Sequence, residues 1–141
     1  MIVGVLALQG GVEEHLTALE ALGATTRKVR VPKDLDGLEG IVIPGGESTV
    51  LDKLARTFDV AEPLAVLISN GLPVFATCAG LIYLAKHLDN PARGQQTLEA
   101  LDVVVRRNAF GTQRESFDTT VDVSFDSAAF PGVQASFIRA P

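Results

Sequence analysis

Short apolar runs alternate with stretches of helical periodicity along most of the chain. Residues 2–8 are apolar throughout and β-branched at their start, as strands covered on both faces are. Gln9-Gly10-Gly11 breaks the run. Val12, Leu16, Leu19 and Leu22 then recur near helical spacing, and Gly23 supplies a stop. Residues 25–31 read as a second strand closed by Pro32, and residues 40–43 as a third, ended by Pro44-Gly45-Gly46. Ser48 is placed to cap a helix running to about Thr57. A further helix starts at Glu62-Pro63 and stops at Asn70-Gly71. Residues 73–77 predict a fourth strand, 79–87 a helix, 90–96 a polar loop and 103–105 a fifth strand. Beyond Gly111 the pattern changes. Residues 117–125 alternate apolar and polar, which suits an antiparallel strand with one wetter face, and 133–138 read as a last short strand.

Strands alternating with helices predict βαβ units, hence an α/β fold with a mostly parallel sheet and helices on both faces. A length of 141 residues with no repeat or linker predicts one domain, residues 1–141. Hydrophobic residues at 47% and charged residues at 21% suit a folded globular chain and exclude disorder as the dominant state. The net charge of −5 argues against nucleic-acid or anionic-membrane partners, which need a basic face. A single cysteine excludes an internal disulfide. The opening residues lack a signal-peptide pattern, and no apolar run reaches the roughly 18 residues of a membrane span, so the expected location is cytoplasmic.

In such a sheet, sites form beyond the carboxyl ends of the strands. This directs attention to Gln9-Gly10, to Gly45-Gly46-Glu47-Ser48, to Cys78 and to the segment after Val105. Cys78 follows Pro73-Val74-Phe75-Ala76-Thr77 and precedes Ala79-Gly80-Leu81-Ile82, so a strand runs directly into a helix with the cysteine at the turn. Ala76 and Gly80, two residues to either side, are small enough for the tight crossing of a nucleophile elbow. A helix N-terminus favours thiolate, the nucleophilic form, and the Ala79 N–H is placed to stabilise an oxyanion. The same cysteine also reads as a small buried apolar residue. Gly45-Gly46 let backbone approach a ligand closely, although they also suit a plain strand-to-helix loop; no P-loop lysine follows. Arg106-Arg107 and Arg139 read either as solvated charges or as guanidinium forks for a carboxylate. Two separated histidines and one cysteine offer no metal-ligand spacing.

Leu8-Gln9-Gly10, Pro44-Gly45-Gly46-Glu47-Ser48-Thr49, Thr77-Cys78-Ala79-Gly80, Arg107-Asn108-Ala109-Phe110-Gly111 and Phe137-Ile138-Arg139-Ala140-Pro141 occur in this order. Together they resemble the PdxT family of class I glutamine amidotransferases, the glutaminase subunits of pyridoxal 5′-phosphate synthase. The resemblance runs from Gly4 to the last residue. It implies a three-layer α/β/α, flavodoxin-like fold. It implies hydrolysis of L-glutamine to glutamate and ammonia through a cysteine thioester. The ammonia would pass to a PdxS-type synthase subunit that builds pyridoxal 5′-phosphate, with no cofactor on this chain. By the resemblance Cys78 is the nucleophile, and Gly46 and Ala79 supply oxyanion N–H groups. Gly46, Glu47, Ser48, Arg107, Ile138 and Arg139 match glutamine-binding positions. Ala76 departs from the glycine usual there.

A thiol nucleophile needs a base, usually an imidazole. His87 lies nine residues beyond Cys78 on the same predicted helix, ~13 Å along its axis at ~1.5 Å per residue, out of hydrogen-bond reach. His15, within the first predicted helix, reads either as the base or, in preference, as a surface or partner-contact residue. The family's His-x-Glu segment lies downstream of Ile-Arg-Ala-Pro, and nothing in residues 1–141 matches it; Glu115, Asp118 and Asp122 have no accompanying histidine. The domain is therefore expected to be incomplete at its C-terminal end. The alternative expectation is a catalytically inactive form that keeps only the glutamine-pocket and partner-docking surfaces. A third reading, a cysteine-elbow hydrolase or redox protein, is permitted by Cys78 alone and opposed by the other motifs.

Overall fold

The strand containing Ile2–Leu6 (β1) and the strand Gly40–Ile43 (β3) are almost wholly buried, so their side chains must feed cores on both faces of a sheet. A computed structural model shows that arrangement and describes residues 1–109, 114, 116–125 and 127–137. The chain forms two compact units, residues 1–105 and 106–141.

The first unit is built on four parallel strands in the order β2-β1-β3-β4, with β2 spanning Thr25–Val29 and β4 Val74–Ala76. Alternation along the strands separates two cores. Val3, Val5 and Val42 pack against Leu16 and the partly buried Val12 and Leu19 of helix α1, Val12–Ala21. Leu6, Ile41 and Ile43 point the other way. They meet Leu51 and Ala55 of α2 (Ser48–Thr57), Leu64 of α3 (Ala61–Ser69), and Tyr83 and Leu84 of α4 (Ala79–Leu84). The result is a three-layer α/β/α arrangement, as the sequence predicts.

Several boundaries differ from the sequence reading. Glu47 caps α2, not Ser48: its Oε1 accepts the Thr49 N–H at 3.1 Å and the Thr49 hydroxyl at 2.8 Å. Ser48 is instead buried as the first helical residue, and its hydroxyl accepts from Gln95 Nε2 at 3.1 Å. The predicted helix 79–87 ends at Leu84, where Ala85 turns extended (ψ 142°). Residues Ala85–Leu88 (β5) then pair in parallel with Leu101–Val105 (β6), matching His87 to Val104. Cross-strand pairing with a β-branched run overrides the helical propensity of Ala-Lys-His-Leu. His87 thus lies on an exposed strand position, not on the elbow's helix.

A buried carboxylate ties the polar loop to α2. Asp52 is 1% exposed and accepts two bonds from Arg56, Nε and Nη2, each at 2.8 Å. It also accepts the Gln96 N–H at 3.0 Å. The Asp52 carboxylate holds the Arg56 guanidinium more firmly protonated, while burial, aided by the nearby Asp52 charge, pushes the Tyr83 phenol up.

The second unit is an antiparallel hairpin of Phe117–Phe125 (β7) and Ala128–Phe137 (β8), the latter starting earlier than the sequence predicts. Phe117 stacks on Phe137 with ring centroids 5.1 Å apart. Asp118 accepts from the Ser136 hydroxyl at 2.6 Å, and Asp122 accepts the Gly132 N–H at 2.9 Å. These two acids are therefore hairpin contacts. Glu115 lies outside the described residues.

After β2, Asp34 closes the turn leading into the short helix Pro32–Leu35 by accepting the N–H groups of Arg30 (2.9 Å) and Val31 (3.1 Å). These bonds hold its carboxyl below the ordinary value of 3.8. A carboxyl lowered on folding stabilises the fold above that ordinary value, and the contribution is lost as pH falls through the folded value. Asp34→Ala is expected to lower Tm by a few degrees at pH 7 in a thermal melt, with the gap to the unaltered chain closing as the pH is taken below 3.8.

Candidate active site

Three loops converge at the carboxyl ends of β1, β3 and β4, which lie side by side in the sheet. The first carries Gln9-Gly10-Gly11, the second Pro44-Gly45-Gly46-Glu47, the third Thr77-Cys78. Their contact is close enough to dictate glycine. A Cβ on Gly10 would strike the Gly45 carbonyl oxygen, and one on Gly80 would strike the carbonyl oxygen of Ile43. Gly46 has φ +149°, and a Cβ there would overlap the Gln9 carboxamide.

Cys78 sits at the turn between β4 and α4 with φ +47° and ψ −111°, a conformation an L-residue avoids. It is exposed. The buried-apolar reading of this cysteine is therefore excluded, and the strand-turn-helix geometry expected of an elbow is present. Bonds on either side of the sulfur fix the turn. The Thr77 N–H donates to the Ile43 carbonyl at 3.1 Å, the Gly80 N–H to the Thr77 carbonyl at 2.8 Å, and the Ile82 N–H to the Cys78 carbonyl at 3.2 Å. A Cβ built on Gly45 would lie 3.3 Å from the Cβ of Cys78, so the Gly45-Gly46 turn abuts the cysteine.

The remaining sequence-derived positions are distributed unevenly. Ala79 is buried as the first residue of α4, directly after the cysteine. Glu47 is exposed beside Gly46, its backbone gripped by Gln9: the Glu47 N–H donates to Gln9 Oε1 at 3.1 Å, and Gln9 Nε2 donates to the Glu47 carbonyl at 3.3 Å. Ser48 lies inside the fold with its hydroxyl on Gln95. Arg107 belongs to the second unit, in a turn over residues 107–109. Ile138 and Arg139 lie outside the described residues.

His15, which the sequence reads as a surface or partner-contact residue, is half-buried and joins the site together with Thr77, to which the sequence assigns no role. His15 Nε2 lies 3.3 Å from Thr77 Oγ1, a contact across 62 positions. The His15 ring also stands edge-on to Phe75, centroids 6.5 Å apart. The first-helix spacing puts His15 beside Leu16, which is core, but which strand end it faces follows from the β1-β3-β4 order. The break in the first apolar run points to Gln9, and its grip on Glu47 is the detail that such a pattern does not supply. Among the described residues no group of three or more His, Cys, Asp or Glu could hold a metal ion, and no helix is long and apolar enough to cross a membrane.

Backbone strain at Cys78 has a measurable consequence. Cys78→Ala keeps the Cβ and the strain, whereas Cys78→Gly removes both. In urea unfolding, Cys78→Gly is expected to be more stable than Cys78→Ala by about 1 kcal/mol, the reverse of the usual order of these two residues.

Comparison with known proteins agrees with the geometry. The model of the SNO glutamine amidotransferase family matches residues 5–141, running through both units. The chain is 96% identical over 141 residues to the pyridoxal 5′-phosphate synthase subunit PdxT of Corynebacterium glutamicum (strain R), covering all of this chain and 70% of that protein. It is 64% identical to the subunit of the same name from Corynebacterium diphtheriae, covering all of this chain and 73% of that one. A solved structure described as a crystal structure of glutamine amidotransferase superposes with a TM-score of 0.85 at 42% identity, covering all of this chain and 72% of that one. With an exposed cysteine elbow set against a paired-glycine turn on a parallel sheet, and with this match along its length, the chain belongs to the SNO glutamine amidotransferase family.

Proposed function

We propose that residues 1–141 belong to one amidotransferase domain in which Cys78 attacks L-glutamine and releases ammonia for pyridoxal 5′-phosphate synthesis. The observation that carries the reading is the exposed, positive-φ Cys78 packed against the Gly45-Gly46 turn. The thiolate adds to the carboxamide carbon of glutamine and its carbonyl oxygen becomes an oxyanion. The Gly46 and Ala79 N–H groups are assigned to that oxyanion. Collapse of the intermediate breaks the C–N bond, and the nitrogen leaves as ammonia after taking up a proton. Water then hydrolyses the glutamyl thioester to glutamate and regenerates the thiol.

Glutamine binding is assigned to Gly46, Glu47, Ser48, Arg107, Ile138 and Arg139. In this role Ser48 is assigned through its backbone, because its side chain is buried with the hydroxyl turned toward Gln95. The arginines are suited to the substrate carboxylate by their planar, two-pronged donors. The thiol's proton is assigned to the His-x-Glu pair that follows the Ile-Arg-Ala-Pro segment in the family. The partner is a PdxS-type synthase subunit, in keeping with the names of the two relatives. The setting is the cytoplasm, where a lone thiol stays reduced.

Incubating the full-length protein with a diazo-ketone analogue of glutamine, followed by peptide mass mapping, tests this reading. One adduct is expected, on the Cys78 peptide, and excess glutamine suppresses it. An adduct elsewhere, or an unmodified Cys78, overturns it.

A further inference from the structure

We propose that His15 is a positioning residue for the nucleophile, acting through Thr77. The proposal builds on the reading of Cys78 as nucleophile and adds a link that the strand-turn-helix geometry alone does not require. Thr77 is the last residue before the strained turn, and its three polar groups are all engaged. Its N–H is on Ile43 and its carbonyl holds Gly80, both through backbone. Its hydroxyl meets His15 Nε2 at 3.3 Å in a part-buried contact. The first two bonds are local to the β3–β4–α4 crossing. The third reaches across to α1, on the opposite layer of the sheet from α4. The edge-on contact with Phe75 sets the plane of the His15 ring. Imidazole is thus braced on one strand residue while it grips the next but one.

A non-glycine residue at φ +47° persists only while its surroundings over-determine it. Releasing the Thr77 side chain removes one of those restraints. The elbow then relaxes toward negative φ, and the sulfur leaves its exposed orientation. His15 thereby affects the nucleophile without touching the substrate.

Because Cys78 is the sole cysteine, its alkylation by iodoacetamide reads the sulfur directly. The chain is compared with His15→Ala, His15→Gln and Thr77→Val, well below the Tm of each. Glutamine places its amide nitrogen the same number of bonds from Cα as Nε2 of histidine. His15→Ala and Thr77→Val are each expected to slow alkylation about tenfold, with the double variant no slower than either alone, and His15→Gln to restore it to within twofold. In glutamine turnover by the full-length protein, kcat is expected to fall by the same factor while KM holds within twofold. A merely structural role would lower Tm and leave the alkylation rate alone. Alkylation unchanged in both His15→Ala and Thr77→Val overturns the proposal, as does His15→Gln reacting as slowly as His15→Ala. Should His15→Ala fail to fold, the near-isosteric Thr77→Val decides alone. The alkylation readout needs no glutamine, so it stands apart from failure of the glutaminase reading.

Discussion

The backbone at Cys78 is the constraint on which the site depends. A turn at φ +47° costs on the order of 1–3 kcal/mol for a residue with a Cβ. The surroundings must hold it there. Burial of Tyr83 and Leu84 anchors α4 in the larger core, and Gly80 lies flush against the Ile43 carbonyl. The helix therefore starts at a fixed distance from β3. The strand before it is fixed by its pairing with the same β3. Between two fixed ends the intervening residue has little choice, and its side chain is directed out of the fold.

The paired glycines answer to the same demand. Gly45 has to lie against the cysteine and Gly10 against Gly45, so three successive loops share a space too small for side chains. The polar loop supplies further support along the N-terminal half of α2. Asp52 and Ser48 draw Gln96 and Gln95 inward, which fixes the first turn of that helix where it meets Glu47. Asp52 is buried while its partner Arg56 is 43% exposed, so removing the arginine strands a carboxylate inside the fold.

Much of this was legible in the chain because the signals are local. Two-sided burial of 40–43 shows as an uninterrupted apolar run, and the small residues around Cys78 show as an elbow. Capping was misread because Ser48 and Glu47 are both able acceptors, and the choice between them depends on Gln95, 47 positions away. The end of α4 was misplaced because residues 85–88 have helical propensity, and only their pairing partner at 101–105 overrides it. The reach of His15 to Thr77 spans 62 positions and follows from strand order alone, which no local pattern encodes. The assignment proposed for Arg107, in the second unit, rests on motif rather than on periodicity.

Among the described residues, β4 is the last strand in its row, with β3 on one side. Its one described neighbour therefore carries a double duty: β3 pairs with the strand that leads into Cys78, and through the Ile43 carbonyl it limits how far Gly80 can move. The nesting of the loops adds a third tie, because Gly10 abuts the Gly45 carbonyl and Gly45 abuts the Cys78 side chain. A side chain added in the first loop would be felt at the cysteine two loops away, so these positions tolerate change only in concert.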